Sequence, residues 1–223
     1  MLLMINTAGV VLLRQEKPTA IKSSNTTKNI TETKITVPVE EAMKVNADIK
    51  RVINFNDRSL AVVQSRDNTE YLTIDVLGQL DKMGTLFQAK EVNENSRNIV
   101  IYGHSSSKND LRLTPFKRKA YITANQHFKV SQDNQEVSYR IIAYLNVDID
   151  ELSLPFYRTD WRTRSDFIDY LITANRESIT AFTDDGIKEA ASCLTLVTCD
   201  LRKQSKRWLV IAIAENSGEL MET

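Results

Sequence analysis

Short apolar segments separated by polar stretches recur along most of the chain, and they are rich in β-branched and aromatic residues. In the segment 194–199, Leu194, Leu196 and Thr198 alternate with Thr195, Val197 and Cys199. A period of two indicates a β-strand, because successive side chains of a strand face opposite ways. Comparable segments cover 60–64, 84–88, 98–102, 128–131, 137–147 and 208–214.

The number and spacing of these segments predict the fold class. Seven or eight short strands with few helices, and no alternation of strands with long helices, favour a closed mixed β-barrel over a parallel α/β sheet. We therefore predict a mainly β protein with peripheral helices (α+β).

Three helices are predicted around this barrel. An apolar stripe predicts an N-terminal helix across residues 45–53. Asp67 and Glu70 resemble a capping box that opens a brief helix ending before Gly78. Ser165 opens a segment, 165–176, whose apolar residues recur at helical spacing.

The two ends of the chain have a different composition from the centre. Residues 1–13 are strongly apolar but shorter than the about 20 residues that a membrane span needs, and no basic segment precedes them. Residues 18–39 are rich in Thr, Ser, Asn and Lys, which predicts a flexible linker. We assign 40–217 to a single folded domain and 218–223 to a tail.

Charge and cysteine content narrow the possible functions. The chain has 29 basic and 29 acidic residues, so no overall field favours nucleic acid, and we expect no nucleic-acid partner. Its two cysteines and two histidines lack metal-binding spacing, so we expect neither a metal nor a cofactor. Cys193 and Cys199 would lie about 20 Å apart on one face of a strand, beyond disulfide reach.

The end of the 194–199 strand carries candidate chemistry. Cys199 closes the strand, a polar loop follows, and Arg207 opens the next apolar segment. A cationic neighbour favours the thiolate that makes cysteine nucleophilic, and a guanidinium can stabilise an oxyanion. Strand, loop and neighbouring strand therefore place a thiol and a guanidinium at the two ends of one loop.

A proton carrier must come from elsewhere in the chain. His104 follows the strand-like segment 98–102 and should lie on a barrel rim, whereas His127 lies in a polar, turn-like stretch. Cysteine and histidine that act together are commonly distant in sequence. The alternative is a buried thiol, an incidental surface histidine and a solvated arginine.

Three motifs in this order resemble the class B sortases, membrane-anchored cysteine transpeptidases of Gram-positive bacteria. They are Tyr102-Gly103-His104, the Thr-Leu-Val-Thr-Cys string at 195–199, and Arg207 eight residues after the cysteine. Segments 62–72 and 84–87 also resemble that family, and the likeness covers about 42–215. Val197 stands where this class often has serine.

The resemblance implies a sortase-type closed barrel with a helix inserted near 165–176. It also implies that residues 1–17 are the remnant of a membrane anchor. An ordinary amphipathic or disordered start is the alternative for 1–17. The implied catalytic residues are His104, Cys199 and Arg207. The implied substrate-binding groups are Asn68, Leu72, Thr198 and, as an oxyanion donor, the backbone N–H of Asp200. The alternative to substrate binding is that Asn68 is a cap-region residue and that Leu72 is a core residue.

The implied reaction is cleavage of a C-terminal sorting signal of a secreted surface or pilin protein through a thioester on Cys199. The acyl group would pass to a pilin lysine, which we favour on overall likeness, or to a peptidoglycan cross-bridge amine. The enzyme would act at the extracytoplasmic face of the membrane, held by its N-terminal segment. A cysteine protease of another fold and a non-catalytic β-barrel binding module are the alternatives.

Overall fold

The structure is a computed structural model that describes residues 39–106, 112–132, 135–148, 169, 172–173 and 192–215. The predicted anchor remnant 1–17, the linker up to residue 38 and the tail 218–223 lie outside these residues. So does most of the predicted helix 165–176, of which Asp169, Ile172 and Thr173 are described and helical. Within the described part, no helix has the length and apolar character needed to cross a membrane.

Eight strands close into a barrel, which confirms the predicted fold class. The order around the barrel is β1-β2-β3-β4-β7-β8-β6-β5. The strands are β1 Ile49–Asn54, β2 Ser59–Val63, β3 Leu86–Gln88, β4 Asn98–Tyr102, β5 His127–Gln132, β6 Gln135–Asp148, β7 Cys193–Cys199 and β8 Lys206–Ala214.

Strand directions determine which ends meet. β4 and β7 pair in parallel, so Tyr102 and Cys199 end their strands at the same edge of the barrel. β7 and β8 pair antiparallel, so β8 begins at that edge. Three strand ends therefore share one rim, and the end of β4 is far in sequence from the other two.

The barrel interior is apolar and holds the rim rigidly. Phe55, Phe116, Phe128 and Tyr139 form a chain of ring contacts with centroid separations of 4.8, 5.0 and 5.8 Å. Each fully buried large side chain contributes about 1.5–3 kcal/mol relative to an exposed one. The interior faces of β4, β7 and β8 belong to this same cluster, so the strands that carry the rim are fixed along their length.

The N-terminal helix is much shorter than predicted. Helix α1 spans Val39–Met43, whereas Ile49–Asn54 is strand β1. The prediction was wrong for 49–53 because both faces of β1 are buried: Ile53 packs in the barrel interior, and Ile49 and Val52 pack in a second cluster outside it. A strand buried on both faces loses its alternation, so its apolar spacing can imitate a helix.

The remaining helices are also brief. Helix α2 spans Lys119–Ala124, and two 3-10 helices span Glu70–Leu72 and Thr114–Lys117. The predicted capping box does not form, because the N-cap position of the first of these helices is Thr69, which makes no side-chain cap bond. Asp67 instead forms the turn before it, and its Oδ1 accepts hydrogen bonds from the N–H groups of Thr69 and Glu70 at 2.7 and 2.9 Å. These bonds lower the pKa of Asp67. The helix itself ends at Leu72, earlier than predicted.

Candidate active site

The candidate site lies where β4, β7 and β8 meet. Tyr102 is in register with Val197, and Cys199 is in register with Arg207. Directly opposed residues of an antiparallel pair have Cα atoms about 4.5–5.5 Å apart. Strand pairing alone therefore places the thiol beside the base of the guanidinium side chain, and His104 follows two residues after Tyr102.

A groove with a volume of about 340 Å³ opens at this rim. Six of the predicted site residues line it: His104, Cys199, Arg207, Asn68, Leu72 and Thr198. The structure thus brings together in one groove the three side chains to which we gave catalytic roles. The remaining lining residues are Phe87, Tyr102, Gly103 and Val197.

The His104 ring is held from one side. Its Nε2 lies 2.9 Å from the backbone carbonyl oxygen of Leu72. Because a carbonyl oxygen only accepts, this contact assigns a proton to Nε2. Among the described residues, Nδ1 has no hydrogen-bond partner. Nδ1 is thus the ring nitrogen open to a thiol or a substrate.

One nitrogen of the Arg207 guanidinium anchors the side chain to the backbone. Its Nη1 donates to the carbonyl oxygens of Gln204 and Lys206, both at 2.9 Å. Nε and Nη2 have no partner within the described part of the chain. The guanidinium therefore has a fixed position and retains donors for a substrate oxygen.

The two cysteines of β7 differ in their surroundings. Both are free thiols; Cys199 is partly exposed, whereas Cys193 is 1% exposed. Burial raises the pKa of Cys193 to about 12, although hydrogen bonds with Thr195 and Leu194 oppose the shift. Cys193 therefore stays protonated at neutral pH and serves as an apolar core residue.

Thr198 presents an unsatisfied hydroxyl at the groove. The residue is 3% exposed, and its Oγ1 is buried without a hydrogen-bond partner among the described residues. An unsatisfied buried polar group costs about 1–3 kcal/mol. A substrate N–H that reached Oγ1 would recover this cost; the substrate contact of Thr198 stays a prediction.

The expectation for Asp200 has to be corrected. Its backbone N–H donates to the carbonyl oxygen of Lys206 at 3.1 Å and so closes the β7–β8 loop instead of facing the groove. Desolvation favours its neutral carboxyl, but hydrogen bonds from the N–H of Arg202 and from Asn146 outweigh that effect and lower the pKa of Asp200. Asp200 is a structural residue of this loop.

Asn68 and Leu72 lie at another part of the groove wall. Asn68 Oδ1 accepts the N–H of Lys90 at 2.8 Å, and its amide group donates to Glu91 at 3.4 Å. Asn68 makes no cap bond to the helix Glu70–Leu72, whose N-cap position is Thr69. Leu72 lines the groove and, partly buried, also packs against the second cluster. Its contact with a substrate stays a prediction.

Sequence reasoning missed several groups near Cys199. Phe87 and Tyr102 form a tilted ring pair at 5.4 Å in the groove wall. For Tyr102 the available signal was its position at the end of β4, directly before Gly103 and His104. Lys117, from a basic run that is typical of a solvated surface, is half-buried and interacts electrostatically with Asp200, Arg202 and Cys199. Desolvation lowers the pKa of Lys117, while the charge of Asp200 opposes the shift.

Gly84 supports the carbonyl that holds His104. Gly84 has φ +52°, and a Cβ added there would lie 2.7 Å from the carbonyl oxygen of Leu72. Gly84→Ala is therefore expected to lower the free energy of unfolding by about 2–5 kcal/mol. By displacing the partner of His104, it should also lower kcat at least about 10-fold. Urea unfolding and steady-state kinetics below the midpoint of unfolding measure the two effects.

Gly78→Ala is the matched control. Gly78 has φ +77° but nothing within 4 Å of an added Cβ. Only the backbone cost of about 1–2 kcal/mol should appear, with kcat unchanged. Equal kcat values for the two alanine variants would contradict the role given to the Leu72 carbonyl.

Comparison with known proteins agrees with the fold and site. A thiol, an imidazole and a guanidinium in one groove of a closed mixed barrel fit a cysteine-dependent acyl-transfer enzyme. The sortase domain family model matches residues 52–215. The chain therefore belongs to the sortase family, and it is a sortase-type cysteine transpeptidase. No curated protein gives a significant sequence match.

Solved structures of sortase B share the barrel. Sortase B of Clostridium perfringens is 23% identical with a TM-score of 0.68, over 79% of this chain and 99% of that one. Sortase B of Staphylococcus aureus is 20% identical with a TM-score of 0.66, over 78% and 85%. Sortase B of Listeria monocytogenes is 22% identical with a TM-score of 0.63, over 77% and 97%. The predicted class B type of fold is thus confirmed.

Proposed function

We propose that the chain cleaves a C-terminal sorting signal of a secreted surface protein and joins the new carboxyl end to an amine, through a thioester on Cys199. The observation that carries this proposal is the shared groove of Cys199, His104 and Arg207. In that groove the His104 ring retains Nδ1, and Arg207 retains two of its nitrogens, for a substrate.

The first half-reaction forms the thioester. The Cys199 thiolate attacks the carbonyl carbon of the scissile peptide bond, and the carbonyl oxygen becomes an oxyanion stabilised by the free donors of Arg207. The His104 imidazolium then gives its proton to the departing amine nitrogen as the C–N bond breaks. The products are an acylated Cys199, a neutral imidazole and a released C-terminal peptide.

The second half-reaction forms the new amide bond. An incoming amine attacks the thioester carbonyl carbon, and the neutral His104 ring accepts a proton from the amine nitrogen. The C–S bond breaks and returns the Cys199 thiolate beside an imidazolium. The enzyme is thus restored to the charge state in which it began.

Solved relatives suggest the chemistry of both substrates. Structures are known of a Staphylococcus aureus sortase B–substrate complex and of a sortase B complexed with triglycine. For the present chain we propose a sorting-signal peptide in the groove and a primary amine as acceptor. We favour a pilin lysine over a peptidoglycan cross-bridge on overall likeness. We also propose that residues 1–17 hold the enzyme at the extracytoplasmic face of the membrane.

Product analysis tests the proposal. The full chain would be incubated with a candidate pilin carrying a sorting signal, together with triglycine, and the products identified by mass spectrometry. A thioester and an amine-dependent amide product are expected, and the position of the amide identifies the acceptor. Hydrolysis unaffected by added amine would indicate a protease instead, and absence of any adduct would indicate a binding module.

Arg207→Ala should reduce kcat/KM by about 10²–10³-fold, because an oxyanion donor contributes that much to acyl transfer. Arg207→Lys keeps the charge but loses the planar fork, so most of the loss should remain. Rates of release of the C-terminal peptide measure the effect. Lys206→Gln is the matched control, because the Lys206 ammonium pairs with Asp148 at 3.2 Å outside the groove. An Arg207→Ala rate equal to that of Lys206→Gln would refute the oxyanion role.

A further inference from the structure

The segment that carries His104 is bonded to the nucleophile strand through the next residue. Ser105 is 8% exposed, and its hydroxyl donates to the backbone carbonyl oxygen of Cys199 at 2.9 Å. This hydroxyl lies outside the residues that line the groove, so it is not available to contact a substrate there. The bond therefore joins Ser105, which directly follows His104, to Cys199.

The bond from the Ser105 hydroxyl occupies the position of the next backbone hydrogen bond between β4 and β7. The N–H of Gly103 donates to the carbonyl oxygen of Val197 at 3.1 Å, which extends the parallel β4–β7 ladder one step past the end of β4. In a continuing parallel ladder, the next donor would be the N–H of Ser105 and its acceptor the carbonyl of Cys199. Here the side-chain hydroxyl of Ser105 makes that bond, although the backbone at Ser105 is no longer a strand.

The pairing of β7 with β8 directs the carbonyl oxygen of Cys199 toward β4. The N–H of Asp200 bonds the carbonyl of Lys206, so in the alternating antiparallel pattern Cys199 and Arg207 form a pair without hydrogen bonds between them. The backbone groups of Cys199 therefore point away from β8. Ser105 supplies the donor on that side.

We infer that Ser105 is a positioning residue that holds the His104 imidazole at its working separation from the Cys199 sulfur. The inference rests on the proposed function of His104 and Cys199. The ring is fixed by the Leu72 carbonyl through Nε2, and the His104 backbone is fixed between two bonds to β7, one from Gly103 and one from Ser105. Ser105 itself touches none of the reacting atoms.

Loss of the hydroxyl should act on chemistry more than on substrate binding. Without that bond, the His104 segment keeps the Gly103 anchor, the bond from the Leu113 N–H to the His104 carbonyl oxygen at 3.4 Å and the bond from the Ser106 N–H to Thr114 Oγ1 at 2.8 Å. Of these, only the Gly103 bond ties the segment to β7, so its position relative to Cys199 is less well fixed. A displacement of about 1 Å can cost up to about 100-fold in rate. We expect Ser105→Ala to lower kcat about 10-fold or more with KM changed less than about twofold, because the groove walls remain in place.

Two further variants separate positioning from stability. Ser105→Thr restores a hydroxyl and should recover kcat to within about threefold of the original chain. Ser59→Ala is the matched control, because Ser59, on β2, is 6% exposed, its hydroxyl donates to Asn54 Oδ1 at 2.6 Å, and it is not among the residues that line the groove. It loses a comparable buried bond and should keep kcat while showing a similar drop in midpoint of urea unfolding.

A second readout does not depend on transpeptidation. Because Cys193 is buried, iodoacetamide should label Cys199 selectively, and the labelling rate at fixed pH reports its thiolate. We expect labelling to slow in Ser105→Ala and in His104→Ala, and the double variant to label no more slowly than His104→Ala. Such non-additivity indicates that Ser105 acts through His104.

The outcomes have distinct meanings. The inference is overturned if Ser105→Ala keeps kcat and labelling rate, if Ser105→Thr fails to recover kcat although it folds, or if the labelling losses of Ser105→Ala and His104→Ala add. Failure of the full chain to form any amide, with the labelling coupling intact, would overturn the proposed reaction but not the positioning of His104 by Ser105.

Discussion

Replacing Cys199 with alanine is expected to abolish cleavage of a sorting-signal peptide, with a loss in kcat of at least about 10⁴-fold. The variant removes the atom that forms the thioester, and none of the described residues that line the groove offers another thiol. The measurement is release of the C-terminal peptide by liquid chromatography. Intact-mass analysis should show the acyl adduct on the original chain and none on the variant.

The matched control is Cys193→Ala. Cys193 lies on the same strand, so the substitution also removes a sulfur from β7, but from the core end. It should lower the free energy of unfolding by about 0.5–3 kcal/mol and leave kcat unchanged below the unfolding midpoint. An acyl adduct on the Cys199→Ala variant would contradict the assignment of the nucleophile. So would the absence of the adduct from a folded Cys193→Ala variant.

Replacing His104 with glutamine should lower kcat by about 10²–10⁴-fold, the usual contribution of a positioned general acid and base. Glutamine can still donate to the Leu72 carbonyl, which lies 2.9 Å from the His104 ring, so the loop should keep its structure. What is lost is the ability to exchange a proton with the departing and the incoming amine. Single-turnover acylation and its reversal by triglycine measure the two steps separately, and both should slow.

His127→Gln provides the control for a histidine lost elsewhere. The His127 ring is exposed on β5 and contacts Glu215 through Nδ1 at 3.2 Å, outside the groove. Acylation and aminolysis should both keep their rates in this variant. If His104→Gln slowed only aminolysis, the acid role of His104 in the first step would be wrong, and the amine would have to leave with a proton from another source.

The fold class was predictable because most strands keep an apolar alternation bounded by polar turns. Asn98–Tyr102 was predicted with its observed limits, and the strands ending at Cys199 and at Ala214 were predicted with the observed ends. The strand Ile49–Asn54 was mistaken for a helix, because burial of both its faces removes the period that distinguishes the two structures. Burial on a second face depends on partners that sequence does not reveal.

The catalytic side chains of the site were predictable from the sequence, whereas the roles of its backbone groups were not. Residue type and order were enough to select His104, Cys199 and Arg207, which line one groove. The mistaken role of the Asp200 N–H arose because the partner of a backbone group depends on strand register, here the bond to Lys206. The Leu72 carbonyl and the Ser105 hydroxyl were missed for the same reason, since both meet their partners across the barrel rim.

The position of β8 between β6 and β7 has a consequence for folding. Until β8 docks, β6 and β7 each have an unpaired edge, and Cys199 has no guanidinium beside it. Docking of β8 therefore closes the barrel and completes the catalytic group in one step. A chain in which β8 has not docked should be inert toward peptides, so a partly folded enzyme does not form the thioester.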